Sequence, residues 1–383
     1  MYFCISNSDM YEQEFQGDIL YMMLYAVVAA LNLVACCYLL FRRGNAFAPD
    51  ITSPMRLRRW TAAFFAAIAL CHLWYLPMYF LTSPDDMMLG SLIAELLDSM
   101  TIIPLAIVIL FVMLQDRRRP LWPVVVMVAP LIAGLVWCIT TRNDALLPVL
   151  FVYFLLMWLG LITYMVREIR QYGRWLRDNY ADLEHKEVWQ GFVVLAIILL
   201  TYAIYSLDVG ELIYEYILEG INIVLVCYLL WRVETLSDLS LSQSPFIQEE
   251  ADTKGDTEDN GLSQTIRDNI GSKLKRYCEE PQLYLQHDIS LPQLAQTIGT
   301  NRLYLSQHFS SQGMTYNAYI NNLRIQHFIK LYHEAIAAHQ LISVQQLALQ
   351  SGFRSYSTFN AAFKQSMGMT ATEWMRNAGT SES

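Results

Sequence analysis

The chain has 383 residues, 55% of them hydrophobic and 16% charged, with a mean hydropathy of +0.29. Soluble domains carry about 25% charged residues, so an ordinary water-soluble globule is excluded for most of this length. The net charge of −9 divides as −6 over 1–231, −6 over 232–262 and +3 over 263–383, which leaves only the last third suited to an anionic partner such as nucleic acid.

A spanning helix needs about 20 apolar residues. Seven stretches reach that length: 19–41, 60–82, 88–114, 121–140, 146–166, 188–207 and 212–231. A bilayer satisfies no backbone polar groups, so each is expected to be helical. The leader 1–18 is acidic and has no Lys or Arg, which sets it apart from a signal peptide. Orientation follows from the basic residues. Arg42, Arg43, Arg56, Arg58 and Arg59 fall in the first loop, and Arg117, Arg118 and Arg119 in the third. Arg167, Arg170, Arg174, Arg177 and Lys186 fall in the fifth, whereas the alternate segments hold only Arg142. The positive-inside bias places the N-terminus outside and everything after Trp231 in the cytoplasm.

Several polar groups interrupt these stretches. Glu95 and Asp98 lie one turn apart in the third. Glu211, Glu215 and Glu219 form an i, i+4, i+8 stripe in the seventh, and His72 sits in the second. No Lys or Arg within the stretches can pair with the acids. A charge at mid-bilayer costs roughly 2.5–3.5 kcal/mol, so such groups face a bundle interior or a cavity. His72, Glu95, Asp98, Glu215 and Glu219 are therefore candidate ligand-binding residues of an outward-opening polar pocket. The alternative is acids that hold helices together or lie near the interface.

The seven cysteines form no C-x-x-C and no zinc spacing, and most fall inside apolar runs as small fillers. Metalloprotease, nucleophile-elbow and Walker signatures are all missing, so no enzyme, cofactor or metal is expected. From 237 to 262 the chain is rich in Ser, Asp, Glu and Gly. Such a segment reads as a disordered acidic linker, with a reach of roughly 25–30 Å. The expected divisions are a membrane domain over 1–235, the linker over 236–262 and a separate helical domain over 263–383.

That last domain repeats itself. Ser290-Leu-Pro-Gln-Leu-Ala-Gln-Thr-Ile-Gly299 matches Ser343-Val-Gln-Gln-Leu-Ala-Leu-Gln-Ser-Gly352. Each copy opens with S-x-x-Q, the sequence of a capping box, and ends in a Gly suited to a helix C-terminus. Leu294-Ala295 and Leu347-Ala348 supply a buried face on which a second helix can sit closely. That second helix follows over 301–309 and 355–364, and both copies then reach Gly-Met-Thr. Helix, Gly turn and helix anchored by Leu305 and Phe309, or by Phe359 and Phe363, is a helix-turn-helix. A long helix over 316–338 is expected to join the two copies.

The segment 266–376 resembles the DNA-binding domain of AraC-type transcription regulators. The likeness rests on Leu294-Ala295, Gly299, Tyr304-Leu305-Ser306, Phe309, Tyr319-Ile320, Arg324-Ile325, Leu347-Ala348, Gly352-Phe353, Phe359, Phe363-Lys364, Gly368 and Thr370. In architecture alone, the whole chain resembles membrane-bound regulators of this type. Phe328 stands where such domains usually carry a small Ala, so the connecting helix is expected to pack differently.

The resemblance implies two recognition helices on one face, reading major-groove segments about 34 Å apart. The candidate readers are Asn301, Arg302, Tyr304, Gln307 and His308 in the first copy, and Arg354, Ser355, Tyr356, Thr358 and Asn360 in the second. Lys364 is a candidate phosphate contact. Arg grips guanine and Asn or Gln grips adenine, each worth roughly 1–3 kcal/mol of discrimination. A charge of only +3 predicts weak binding by one copy, so the expected partners include a second copy of the chain. Double-stranded DNA, membrane lipid and an unidentified membrane or small-molecule signal complete them. The expected fold is all-α: a seven-helix transmembrane bundle followed by a cytoplasmic domain with two helix-turn-helix motifs. The expected function is a membrane-integral DNA-binding regulator. The alternative is a receptor or transporter-like protein whose tail binds another protein.

Overall fold

A computed structural model describes residues 19–42, 45–49, 51–205, 212–239, 270–339 and 343–381. The leader 1–18, Glu211, the end of the sixth predicted span and linker residues 240–262 lie outside them. Among the described residues the fold is helical, with an isolated β bridge between Tyr180 and Ser290. The chain forms two compact units. Met1–Arg170 with Val188–Ser240 make the first, and Gln171–Glu187 with Leu241–Ser383 make the second.

The first unit contains α1 (Ile19–Phe41), α2 (Met55–Tyr75), α3 (Pro84–Met100), α4 (Ile102–Met113), α5 (Trp122–Thr141), the N-terminal part of α6 (Leu147–Asn179), α7 (Trp189–Tyr205) and α8 (Leu212–Thr235). α1 packs against α2 and α8, α2 against α4, and α3 against α5. Every predicted apolar stretch contains helix. Five spans among the described residues are long and apolar enough to cross a membrane: Ile19–Phe41, Pro84–Met113, Trp122–Thr141, Leu147–Asn179 and Glu215–Thr235. α2 and α7 are not among them. Arg56, Arg58 and Arg59 open α2, and α7 has 17 described residues. The outward faces remain apolar: Val34, Val125 and Leu159 are more than half exposed.

Local chemistry explains where helices depart from the expected bounds. The predicted span 60–82 ends early, because Pro77, two residues after Tyr75, has no N–H to continue the helix, and the chain tightens into a 3₁₀ turn over Leu76–Phe80. The predicted span 88–114 is broken at Thr101, where φ is −118° and ψ is −66°. Pro104 has no N–H to offer the carbonyl of Met100, so a break there costs little. The Thr101 hydroxyl caps Leu97 O at 2.7 Å.

Several arginines of the predicted inner loops are neutralised within the unit. Arg119 and Arg117 reach Glu168 at 2.6 and 2.8 Å. Buried Glu234 accepts from Tyr38 and the Ala46 N–H and lies 3.7 Å from Arg58. Linker residues 237–239 are ordered, contrary to the expectation from composition. Gln115 donates to Ser237 O and accepts from the Leu239 N–H, both at 2.9 Å, and Leu239 is buried.

Within the second unit, residues 171–179 end α6 and residues 180–187 form a loop. Helical residues 270–274 then enter a π turn at Lys275–Glu279. Next come α9 (Leu291–Thr297), α10 (Arg302–Ser311), α11 (Tyr316–Ala337), α12 (Val344–Gln350), α13 (Tyr356–Met367) and α14 (Ala371–Ser381). α11 fills the predicted 316–338 connection. α14 was not anticipated from sequence. It opens on a Thr370–Glu373 capping box, in which the Thr370 N–H and hydroxyl both donate to Glu373 at 2.8 Å. The six described cysteines are free thiols.

Candidate nucleic-acid interface

The interface is assembled from two similar pieces. In the first, Ser290 caps α9 through a reciprocal box with Gln293. Gly299 turns the chain at φ +64°, which a side chain would disfavour. Asn301 then caps α10, its Oδ1 accepting from the Leu303 N–H at 2.6 Å. In the second piece, Ser343 caps α12, Gly352 turns at φ +91°, and Ser355 caps α13 by accepting from the Thr358 N–H. Gly368 closes α13 at φ +75°.

Each second helix is held from behind. Leu305 and Phe309 sink into a cluster with Leu294, Ala295 and Ile320. Phe359 and Phe363 sink into another with Leu347, Ala348, Phe353 and Phe328. The Phe328 ring lies 4.5 Å from Phe359 and 5.7 Å from Phe363. The large side chain at 328 therefore fills the second core, so α11 packs there through an aromatic cluster. α11 serves both clusters, with Ile320 in the first and Ile325 and Phe328 in the second. Burying each such side chain contributes about 1.5–3 kcal/mol, enough to fix which face of each helix is left outward.

The outward face of α10 carries Leu303, Tyr304, Gln307 and Ser310, and that of α13 carries Ser357, Ala361, Lys364 and Gln365. Among the predicted readers, Tyr304, Gln307 and Lys364 are exposed, and Arg302 is half-buried. Asn301 is exposed with its carbonyl committed to the cap. His308 is buried, 3.1 Å from the Gln312 amide, and packs against Phe309. That position leaves it no reach toward a groove. Tyr356 is half-buried against Phe359, and Ser355 is spent on capping. Asn360 is half-buried, and its Oδ1 has no hydrogen-bond partner among the described residues. Arg354 lies 3.4 Å from Asp288 and 4.0 Å from Asp182, and the Thr358 hydroxyl donates to Glu184 at 3.0 Å. Sequence reasoning missed Ser357 and Gln365. A helical wheel through Phe359 and Phe363 would have placed both on the opposite, outward face.

Charge within this unit is locally balanced. Burial pushes the Asp182 carboxyl above its ordinary range, partly countered by Lys186. Burial acts the same way on Asp288, but Lys186, Arg354 and His287 outweigh it and hold that carboxyl below its ordinary range. No group of His, Cys, Asp and Glu suited to a metal occurs among the described residues.

In the first unit, the structure joins two of the predicted pocket residues. His72 Nε2 lies 3.5 Å from Glu219 on α8, while its Nδ1 bonds Ile68 O at 2.8 Å. Asp98 instead accepts from Trp74 Nε1 at 3.1 Å and the Tyr75 hydroxyl at 3.0 Å. Glu95 is half-buried one turn from Asp98, and Glu215 is half-buried one turn from Glu219. No local pattern marks Trp74 and Tyr75 as the indole and phenol donors to Asp98.

Residues 294–377 match the family described as a helix-turn-helix domain. The chain is 33% identical over 76 residues to the TCP pilus virulence regulatory protein of Vibrio cholerae serotype O1, covering 20% of this chain and 26% of that protein. It is 31% identical over 93 residues to an uncharacterized HTH-type transcriptional regulator of Staphylococcus aureus, covering 24% of this chain and 12% of the relative. The chain thus spans about a quarter or less of the curated relatives it matches. No solved structure matches.

Proposed function

We propose that this chain is a membrane-integral, sequence-specific DNA-binding transcription regulator. The observation that carries the reading is the paired arrangement of α10 and α13. Each is locked from behind by Leu or Phe anchors and presents a mostly polar outer face after a capped Gly turn. Recognition helices enter the major groove with their N-terminal residues on base edges, and phosphate contacts set the register. On this reading Tyr304 and Gln307 read through α10, Ser357 and Thr358 through α13, and Lys364 holds a phosphate. One matched relative is named a virulence regulatory protein and the other an HTH-type transcriptional regulator, which supports the same assignment.

The apolar helices with apolar outward faces support insertion in a bilayer. The basic loops support an orientation with the helix-turn-helix unit in the cytoplasm and the N-terminus outside. Seven spans, counting α3 and α4 as one, satisfy that orientation. The His72–Glu219 pair and Asp98 form the proposed signal-sensing site for a cationic or hydrogen-bonding ligand. Two copies meeting in the membrane would compensate for weak single-copy binding. The full chain in lipid nanodiscs tests the reading: it should retain duplex DNA, and retention should fall in Gln307→Ala and Lys364→Ala. A tail that binds another protein is the competing reading, favoured by exposed Leu303 and Tyr304 on α10. Retention of no duplex would leave that alternative standing.

A further inference from the structure

The loop 180–187 is seated on the helix-turn-helix domain, and two of the residues that receive it, Arg354 and Thr358, are candidate readers of a duplex. The seat begins with backbone. The Ala181 N–H donates to Ile289 O at 3.3 Å, and Asn317 on α11 donates through Nδ2 to Ala181 O at 2.6 Å and to Tyr180 O at 3.3 Å. Ala181 is 1% exposed and belongs to the first helix-turn-helix core. A chain of charges follows. Lys186 lies 3.2 Å from Asp288, Asp288 lies 3.4 Å from Arg354, and Arg354 lies 4.0 Å from Asp182. The loop ends its contact on the recognition helix itself, where Glu184 accepts from the Thr358 hydroxyl at 3.0 Å.

The position of this contact decides its meaning. Thr358 is in the first turn of α13, and Arg354 immediately precedes its cap. A recognition helix meets base edges with its N-terminal residues, and its positive end favours phosphate. Asp182 and Glu184 place carboxylates at that end, where Glu184 accepts from Thr358 and Asp182 lies 4.0 Å from Arg354, and both would repel a DNA backbone. A duplex and this loop therefore compete for the same two side chains.

We propose that residues 180–187 are an intrachain lock on the second recognition helix, which must leave α13 before DNA is bound. The proposal rests on the DNA-binding reading given above and adds how that site is regulated. The lock is built to release. Its contact near α13 runs through the Asp288–Arg354 pair, whose side chains are 61% and 27% exposed, and ion pairs open to water hold weakly.

The test uses the full chain in lipid nanodiscs and a random-sequence 40-base-pair duplex pool. Asn317→Ala loosens the seat without changing charge, and Glu184→Gln removes the negative charge to which Thr358 donates. Glu280→Gln makes the same charge change at an exposed position elsewhere in the unit. If about nine-tenths of molecules are locked, each of the first two variants tightens duplex binding about tenfold, whereas Glu280→Gln does not. In the wild-type chain, saturating duplex should also speed amide hydrogen exchange across 180–187. Should Asn317→Ala fail to fold, Glu184→Gln and the exchange measurement decide. Unchanged affinity in the variants, with 180–187 still protected when duplex is bound, overturns the lock. Retention of no duplex by any form, although exchange shows the loop released in the variants, removes the DNA-binding reading and the lock's role with it.

Discussion

The guanidinium of Arg324 lies over the ring of Phe353, 5.6 Å from its centroid, and ties the connecting helix to the turn of the second helix-turn-helix. The same group donates to Tyr284 O at 2.8 Å and Gln286 O at 2.7 Å. Arg324 is 1% exposed, so its charge is retained in the interior only because these carbonyls and the aromatic face replace water. It is thus a structural arginine joining both copies, outside any direct role at DNA. A lysine cannot reproduce the planar fork, so Arg324→Lys should destabilise the domain by roughly 2–4 kcal/mol. Chemical denaturation of the full chain in detergent, followed at the C-terminal unit by hydrogen exchange, measures this.

The two turn glycines should respond differently to alanine. A Cβ on Gly352 would lie 2.8 Å from the Leu285 Cα, and φ there is +91°. Backbone cannot swing aside as a side chain tip can, so Gly352→Ala should cost roughly 2 kcal/mol or more. Gly299, at φ +64°, has nothing within 4 Å of the added carbon. Gly299→Ala should cost about 1 kcal/mol, for backbone strain alone. Comparative denaturation of the two variants gives the difference.

Gln307 and His308 are neighbours with opposite roles. His308→Ala should lower the melting temperature and leave duplex affinity of the folded protein within about twofold, since the ring is buried. Gln307→Ala should leave the melting temperature alone and weaken binding to a preferred duplex by roughly 1–3 kcal/mol. Thermal unfolding and duplex titration on both variants check the pair.

Cys278 is fully buried, and burial pushes its thiol up to about 12. It should resist iodoacetamide at pH 8 in the native chain, where almost none is thiolate, and label only when the domain opens. Mass spectrometry of the labelled chain with and without denaturant reads this directly.

Glu219→Gln and Asp98→Asn should abolish the transcriptional response of cells to the inducing signal while leaving protein level unchanged. Glu219 is the buried partner of His72, and Asp98 is held by Trp74 and Tyr75. Reporter activity beside immunoblotting separates sensing from stability. Normal responses in both variants would remove the sensing site.

Much of the C-terminal fold was legible because it is written in local chemistry. Caps at Ser290 and Ser343, turns at Gly299 and Gly352, and anchors at Leu305, Phe309, Phe359 and Phe363 each act within a few residues of their partners. Helix bounds in the apolar half were less legible, since composition does not show where Pro77 and Pro104 stop a helix. The site was legible only in outline. Polar residues near a recognition helix look alike in sequence, yet His308 is inside, Asn301 and Ser355 are caps, and Ser357 faces out. The partners of Arg354 and Thr358 were hidden for a different reason. Asp182 and Glu184 are more than 170 residues away in the chain, and no local pattern joins them.

The central claim is that a chain held in the membrane reads duplex DNA through α10 and α13. Cross-linking cells that express the full chain, isolating membranes and sequencing the DNA recovered with the protein tests it most directly. The account predicts enrichment of a two-part site with halves about one helical turn apart, lost together in Gln307→Ala and Ser357→Glu. Recovery of DNA with no shared site, or of the same DNA from both variants, would contradict it.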